Sequence, residues 1–314
     1  MLEIKPIAMR DALIKRIWEQ MKIDNDIFFV SADFGSPVLD NIRQDFPERF
    51  INVGVAEQNM INVSVGLALE GFKVFLYAIA PFIPMRCYEQ IRVNIALLSE
   101  VRPMNINLIG VGAGVSYSIS GPTHQCYEDI SLMRAMPNFA VLSPSDHISS
   151  GEMFDYCIKN NSPKYLRLDV LPLPVLYKQD LIDISLGFYE LVKGKGDFCI
   201  VSTGFMTQTA LKVSNELGNC SVFDFFNLTH FNKSELSARL SSYKKIITLE
   251  EGFGSIGGLD SVILSLMIDK NVNFLNIGVD SKYTFKIGKR DELHNELGIS
   301  KQKILTKINK FLGV

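Results

Sequence analysis

The chain has 314 residues, of which 47% are hydrophobic and 21% are charged, and its formal net charge is −2 at pH 7. This length is typical of about two domains, and the composition excludes an intrinsically disordered chain. The near-neutral charge, without any basic block, argues against a nucleic-acid or anionic-membrane partner. The amino-terminal segment lacks the apolar core of a signal peptide, and charged residues interrupt the most apolar region, 51–83. We therefore expect a soluble, cytoplasmic protein.

The cysteines and histidines give no sign of a disulfide framework or a metal site. Five cysteines are scattered along the chain without a CxxC pair, which is typical of reduced thiols. The four histidines lack metal-ligand spacing, so we expect no metal bound by this chain's own residues.

Short apolar runs alternate with longer helix-like stretches through the first half of the chain. An apolar residue at every fourth position predicts a first helix over 9–21. The predicted strands that follow are 27–30, 51–55, 74–77, 106–109, 140–142 and 165–168. Helix-like stretches separate them at 58–70, 84–99, 126–136 and 146–159. Fully apolar strands between helices predict a mainly parallel sheet with helices on both faces.

A proline-containing segment, 171–175, interrupts this rhythm and is interpreted as a linker. A second alternation follows it, with predicted strands at 198–202, 221–225, 245–249 and 273–277. We place the domain boundary within 172–185, which gives a first domain over 1–178 and a second over 179–314. The predicted fold class is α/β, with two domains that each contain a mainly parallel sheet covered by helices.

Chemically distinctive side chains stand just past the predicted strands of the first domain. In open parallel sheets, ligand-binding groups gather beyond the carboxyl ends of the strands. Two acids, an aromatic ring, a histidine and an arginine meet this condition: Asp33, Glu57, Phe82, His124 and Arg167. Each has an ordinary structural explanation alone, but their common edge favours a functional site.

Several motifs then appear in the order of a known family. The run GVAEQNM at 54–60, leading to Gly66-Leu-Ala and Glu70-Gly71, resembles a transketolase motif, and so does GPTHQ at 121–125 followed by Glu128-Asp129. Shorter matches stand at 31–33, 86–92 and 136–138. The sequence is therefore similar to the pyrimidine-binding and C-terminal half of a transketolase.

The resemblance implies a thiamine-diphosphate enzyme in which Glu57 hydrogen-bonds N1′ of the cofactor's aminopyrimidine. A carboxyl group in a desolvated aromatic pocket can share a proton with that ring nitrogen. The same resemblance puts Asp33 and Arg86 near the cofactor and makes Phe82 the ring that stacks on the pyrimidine. The spacing from Phe82 to Arg86 differs by one residue from many family members, so Ile79 or Ile83 remain alternatives for the stacking position.

The resemblance also implies substrate contacts. Arg10 and Arg167 align with arginines that hold a substrate phosphate, and His124, the second catalytic candidate, would contact reacting hydroxyls or the cofactor. In the family, an acid directly precedes GPTHQ and distinguishes the stereochemistry of the sugar hydroxyls. Ser120 stands at that position here, so we expect Ser120 at the substrate. Gly112 stands about where the family has a phosphate-binding histidine. The resemblance therefore does not imply which sugar is the donor.

No GDG…N segment, which the superfamily uses to hold magnesium and diphosphate, occurs in the sequence. The resemblance therefore implies a separate subunit that binds Mg²⁺ and the diphosphate, in an α2β2 heterotetramer with self-dimerisation. The expected activity of the assembly is transfer of a two-carbon ketol unit from a ketose, as the sugar or sugar phosphate, to an aldehyde acceptor.

Alternatives remain open at this point. Gly252, Gly254 and Gly257 open a predicted helix, and Asp280 ends the next predicted strand, which together match a dinucleotide-binding fingerprint. We interpret these glycines as packing residues, with an NAD-dependent oxidoreductase as the alternative. Three further alternatives are the β subunit of a 2-oxo-acid dehydrogenase, a deoxyxylulose-phosphate-synthase-like enzyme and a non-enzymatic scaffold.

Overall fold

A computed structural model describes residues 5–178 and 182–313, which form two sheets that follow one another along the chain. The strands of the first sheet are β1 (Ile27–Ser31), β2 (Phe50–Asn52), β3 (Lys73–Ile79), β4 (Ile106–Val111), β5 (Ala140–Leu142) and β6 (Lys164–Leu168). Their spatial order is β2-β1-β3-β4-β6-β5, and every neighbouring pair is parallel. All the carboxyl ends of these strands therefore lie at one edge.

Helices cover both faces of this sheet. They are α1 (Met9–Met21), α2 (Pro37–Asp45), α3 (Glu57–Leu69), α4 (Tyr88–Gln90), α5 (Asp129–Arg134) and α6 (His147–Lys159). Two π-helical segments, Phe82–Arg86 and Ile91–Leu97, flank α4. The apolar faces of α1, α2 and α6 pack on one side of the sheet, and those of α3 and α5 pack on the other.

The second sheet contains β7 (Phe188–Val192), β8 (Phe198–Ser202), β9 (Ser221–Phe225), β10 (Lys245–Phe253) and β11 (Asn273–Val279). Its order is β11-β10-β8-β9-β7, and only the edge pair β7–β9 is antiparallel. The helices of this domain are α7 (Phe205–Leu217), α8 (Lys233–Leu240), α9 (Leu259–Leu266), α10 (Arg290–Glu296) and α11 (Lys301–Leu312). Side chains of α8 and α9 pack on one face, and those of α7, α10 and α11 pack on the other.

The predicted α/β class with two mainly parallel sheets is confirmed. Two local predictions were wrong, and one strand was missed. The strand expected over 51–55 ends at Asn52 because the chain turns at Gly54, whose φ is +75°. The helix expected from 126 begins at Asp129, and the antiparallel edge strand β7 was not predicted. The domain boundary within 172–185 stays a prediction, and residues 179–181 of that interval lie outside the described residues.

Backbone hydrogen bonds join the two domains. Leu228 N donates to Val141 O, and Ser143 N donates to Phe226 O, both at 2.8 Å. Next to them, the buried carboxylate of Asp224 accepts hydrogen bonds from Ser145, Tyr177 and Thr207, and burial raises its pKa to about 7. These contacts fix the second domain against β5 and the residues that follow it.

Candidate active site

Glu57 is the first residue of α3 and is only 4% exposed. The turn that delivers it depends on Asn52, at the end of β2. The Asn52 side chain accepts hydrogen bonds from the backbone N–H groups of Asp33 and Gly54 and donates one to the Asp33 carboxylate, each at 3.0 Å. Asn52 therefore joins the loops that follow β1 and β2. No sequence motif singled out this residue.

The Glu57 carboxylate is paired within the chain. Arg86 Nη1 donates to its two oxygens at 2.8 and 2.7 Å. The Arg86 guanidinium also lies over the Phe82 ring, with its carbon 4.6 Å from the ring centroid. Arg86 therefore contacts both Glu57 and Phe82, and all three residues were predicted to lie at the cofactor.

The segment that carries Phe82 and Arg86 is π-helical. A π-helix holds more residues per turn than an α-helix, so it accommodates a one-residue difference in spacing without moving the ends of the segment. Ile83 is fully buried, so it cannot serve as the stacking alternative. Phe82 and Ile79 are partly exposed, and of the two it is Phe82 that contacts the other candidate residues.

His124 lies beside Phe82, with ring centroids 5.4 Å apart in an edge-to-face arrangement. Its Nδ1 is 3.0 Å from the Thr123 hydroxyl, and its other side faces the Tyr117 ring at 6.2 Å. The GPTHQ loop thus brings its histidine to Phe82, whose ring also lies under the Arg86 guanidinium.

Arg10 lies beyond His124 in this arrangement, close to Tyr77 and Tyr117. Its Nε donates to Asp11 at 3.2 Å, and the side chain is 19% exposed. Burial raises the pKa of the Tyr117 hydroxyl, and the nearby charge of Arg10 opposes that rise. Tyr117, which the sequence analysis did not single out, is therefore part of the site.

Arg167 is not where a substrate ligand is expected. It is 2% exposed, and its Nε donates to the two carboxylate oxygens of Asp129 at 3.0 and 2.8 Å. Its Nη2 donates to the backbone oxygens of Cys126 and Glu251 at 3.2 and 2.7 Å. Burial opposes the charge, but Asp129 raises the pKa above its ordinary value. Arg167 is therefore a buried charge whose Nε and Nη2 bind groups within and between the two domains. Its predicted role in binding a substrate phosphate stays a prediction.

Asp33 and Ser120 are exposed at the same edge. Asp33 has a φ of +53°, which the hydrogen bonds from Asn52 stabilise. Ser120 ends a turn in which its N–H donates to Tyr117 O at 3.1 Å. Their side chains face solvent, so their predicted contacts depend on a ligand or a partner.

A buried charge network connects this edge to the second domain. Arg290 pairs with both Asp169 and Glu251, and His294 also contacts the Glu251 carboxylate. Burial would raise the pKa of Glu251, but Arg290 and His294 lower it to about 2. Gly114 must be a glycine here, because a Cβ built on it would lie 2.0 Å from the Glu251 carboxylate. The Gly-rich loop after β4 is therefore shaped by the second domain.

The glycines that match the dinucleotide-binding fingerprint, Gly252, Gly254 and Gly257, lie where the backbone packs closely. The Glu250 carboxylate accepts hydrogen bonds from the N–H groups of Leu259 and Asp260, at 3.0 and 3.2 Å, and so occupies the amino terminus of α9. A dinucleotide pyrophosphate would need that same position. Gly254 faces Gly278 across β10 and β11, at a separation that leaves no room for a Cβ on Gly278. The oxidoreductase interpretation therefore loses its phosphate site.

Within 5–178 and 182–313, no group of three or more His, Cys, Asp or Glu side chains could hold a metal ion. In the same ranges, no helix combines the length and the apolar character needed to cross a bilayer.

Two family descriptions match the chain: the transketolase pyrimidine-binding domain over 5–174 and the transketolase C-terminal domain over 187–304. A relative from Phocaeicola vulgatus, named as a subunit of apulose-4-phosphate transketolase, is 26% identical over 311 residues and 98% of both chains. The 1-deoxy-D-xylulose-5-phosphate synthase of Pseudoalteromonas translucida is 29% identical over 86% of this chain and 43% of its own length.

A solved structure described as a split-gene transketolase, in an inactive beta4 tetramer, superimposes with a TM-score of 0.84. It is 27% identical, and the match covers 98% of both chains. The two matched domains cover the two sheets. The chain belongs to the transketolase family, of which it contains the pyrimidine-binding and C-terminal domains.

Proposed function

We propose that this chain is a subunit of a thiamine-diphosphate-dependent transketolase that transfers a two-carbon ketol unit from a ketose to an aldehyde. The observation that carries the proposal is the buried Glu57 carboxylate at the start of α3. It is paired with Arg86, whose guanidinium lies over the partly exposed Phe82 ring, and that ring lies beside His124. A carboxyl group and an aromatic face at one end of a cleft fit an aminopyrimidine.

The residues present fit the pyrimidine end of the cofactor. Glu57 supplies the group that hydrogen-bonds a ring nitrogen, and Phe82 supplies a face for stacking. Arg86 is half-exposed and can move away from Glu57 when a pyrimidine takes its place. When bound, thiamine diphosphate supplies the carbanion chemistry that breaks the carbon–carbon bond next to a ketose carbonyl.

The chain's own residues hold and move protons around that chemistry. Glu57 keeps a proton shared with the pyrimidine N1′, where a positioned acid is typically worth ~10²–10⁴ in rate. Nδ1 of His124 lies at the Thr123 hydroxyl, so we assign Nε2 to the hydroxyl groups of the sugar. Phe82 excludes water from the same space.

The diphosphate and Mg²⁺ belong, in this proposal, to a separate subunit. The described residues contain no metal-binding cluster, and the Phocaeicola vulgatus relative is named as a subunit. Apolar side chains are exposed at the rim of the site, among them Ile119 at 77% and Phe285 at 82%. Gly288 N donates to Ser118 O at 3.2 Å, which holds the loop of Phe285 against the loop of Ile119. Exposed apolar patches of this kind are typical of protein interfaces.

Reconstitution tests the proposal. The chain would be produced alone and together with the product of a reading frame that carries the GDG…N segment. We expect weak or no binding of thiamine diphosphate and Mg²⁺ to the chain alone, and ketol transfer from a ketose to an aldehyde by the pair, which we expect to be an α2β2 heterotetramer. Tight cofactor binding by the chain alone would overturn the two-subunit arrangement, and an inactive, cofactor-loaded pair would overturn the activity.

A deoxyxylulose-phosphate-synthase-like activity is the second candidate, favoured by the similarity to the Pseudoalteromonas translucida enzyme. The donor distinguishes the two. Release of CO₂ from pyruvate by the assembled enzyme, without transfer from ketoses, would favour the synthase.

A further inference from the structure

The Tyr117 ring lies beside His124, with the two ring centroids 6.2 Å apart. Gly112, which has a φ of +106°, lies directly beneath this ring, and a Cβ built on Gly112 would be 2.3 Å from the ring carbon Cε2. The ring therefore fills the space into which a side chain at position 112 would extend. Positions 112 and 117 are complementary, because a side chain can occupy that space from only one of them.

Tyr117 is also at the correct end of the site to contact a substrate. The rings of Phe82, His124 and Tyr117 follow one another at centroid distances of 5.4 and 6.2 Å, and Phe82 is the one next to Arg86 and Glu57. A substrate that reacts beside Phe82 and His124 has its far end at Tyr117.

The charges around this far end do not suit a phosphate. Arg10 is the nearest cation to Tyr117, and it is partly neutralised by Asp11 at 3.2 Å. Asp169 is also close enough to Tyr117 to raise the pKa of its hydroxyl. A phosphate carries about −1.5 to −2 charges at neutral pH. At this end it would meet Arg10, which already pairs with Asp11, and Asp169, which already pairs with Arg290.

The uncharged groups at this end suit hydroxyls. The Tyr77 hydroxyl lies buried beside Arg10 and Tyr117. Ser116, which is 5% exposed, has a buried Oγ without a hydrogen-bond partner among the described residues. The hydroxyls of Tyr77 and Tyr117, which both lie close to Arg10, are neutral donors and acceptors, and these are the groups that recognise a polyol.

We propose that Tyr117 is a specificity-determining residue that limits the length of the sugar and, with Arg10, binds an unphosphorylated, hydroxyl-bearing terminus. This inference rests on the proposed ketol-transfer function. It assigns Arg10 to a sugar hydroxyl in place of the phosphate that the sequence analysis expected.

The test compares a ketopentose with its 5-phosphate as donors for the enzyme assembled with its partner subunit. For the unmodified enzyme we expect a kcat/KM at least about 10-fold higher with the neutral sugar. Tyr117→Ala opens the space above Gly112 and should shift this ratio toward the phosphate by about 10-fold or more. Tyr117→Phe keeps the ring and should lower kcat/KM for the neutral sugar by roughly 2- to 10-fold, without improving the phosphate.

Ser118→Ala is the matched control, because Ser118 stands on the same loop and contacts Gly288 through its backbone oxygen. It should leave both donors unchanged. Equal or better use of the phosphorylated donor by the unmodified enzyme would overturn the inference, and so would a ratio that Tyr117→Ala does not change. If the alanine variant does not fold, the unmodified enzyme and Tyr117→Phe decide the question. Absence of transfer from either donor would instead overturn the proposed function, and this inference with it.

Discussion

The Arg86 guanidinium donates hydrogen bonds to both carboxylate oxygens of Glu57, at 2.8 and 2.7 Å, while Glu57 is 4% exposed and Arg86 is 47% exposed. The buried acid at the centre of the proposed chemistry is thus neutralised from the solvent side. A carboxylate so deeply buried is costly without a partner, and a long, half-exposed side chain can be displaced when a ligand supplies another one.

A double-mutant cycle measures this pair. Arg86→Met leaves the Glu57 carboxylate buried and unpaired, so we expect a loss of about 1–3 kcal/mol in the unfolding free energy. Glu57→Gln in the same background should recover part of the loss, and urea unfolding of the four proteins gives the coupling energy. The exposed pair Lys15–Glu19, at 3.8 Å, is the control and should couple by only about 0.3–0.5 kcal/mol. Coupling no larger than in this control would mean that the pair does not neutralise Glu57 in solution.

Glu57→Gln also tests the proposed catalytic role in the assembled enzyme. The amide keeps the shape of the side chain but cannot exchange a proton in the same way, so kcat should fall by at least ~10². Exchange of the C2 proton of bound thiamine diphosphate should slow as well, while subunit assembly survives. Glu48→Gln, at an exposed acid of the same domain, is the control and should change neither quantity. A variant with normal exchange and a stability loss of ~1 kcal/mol would make Glu57 a helix-terminal acid only.

The stability of the domain interface should depend on the protonation of Asp224. Burial raises its pKa in the folded chain to about 7, from about 4 in an unfolded chain. The folded state therefore binds more protons between these values, and the stabilisation is fully present below about pH 4 and is lost as the pH rises through 7. We expect wild type to lose stability relative to Asp224→Asn over this range, by at most about 1.4 kcal/mol per pH unit. Urea unfolding at several pH values measures it.

Asp269→Asn makes the same change of aspartate to asparagine at an exposed position and is the matched control variant. Glu250, whose pKa burial also raises to about 7, is present in all three proteins, so its contribution cancels in the comparison. A constant difference between wild type and Asp224→Asn would contradict the prediction.

The glycines of β10 and β11 should be required for packing. A Cβ on Gly278 would lie 2.7 Å from Gly254 backbone atoms and 2.8 Å from Gly252 O. Backbone atoms cannot move aside cheaply, so Gly278→Ala should lower the unfolding free energy by about 1–3 kcal/mol. Gly66→Ala, within α3 and with open space around its Cβ, should instead be neutral or stabilising by up to about 1 kcal/mol. NAD should not raise the melting temperature of either protein, and a clear rise would restore the dinucleotide site.

Phe285 should contribute to binding of the partner subunit. Its side chain is 82% exposed at the rim of the site, so Phe285→Asp should leave the melting temperature of the isolated chain unchanged. We expect its affinity for the partner to fall at least about 10-fold, as for an aromatic side chain buried at an interface. Calorimetric titration measures this affinity. Ile23→Asp is the control, since Ile23 is 80% exposed but precedes β1, at the opposite edge of the sheet. Equal affinities for the two variants would exclude the rim as the contact surface.

The sequence predicted the class of fold because its signals are local. Fully apolar runs such as 140–142 lie in strands whose every residue is buried, and buried parallel strands need helices on both faces. The same alternation predicted which edge carries the site, since the side chains past parallel strands meet at their carboxyl ends. The strand β7 escaped prediction because an antiparallel edge strand with one exposed face has no continuous apolar run.

The composition, the alternating pattern and the motifs at 54–60 and 121–125 were thus sufficient to predict two α/β domains and the family. The tertiary structure alone decided how charges are paired. Arg167 is committed to Asp129 and to backbone oxygens of both domains, and the Tyr117 ring fills the space above Gly112. These relationships join residues that are far apart in sequence or lie on opposite sides of a loop. Local periodicity carries no information about them, because a side chain's partner depends on how the loops fold back on the sheet.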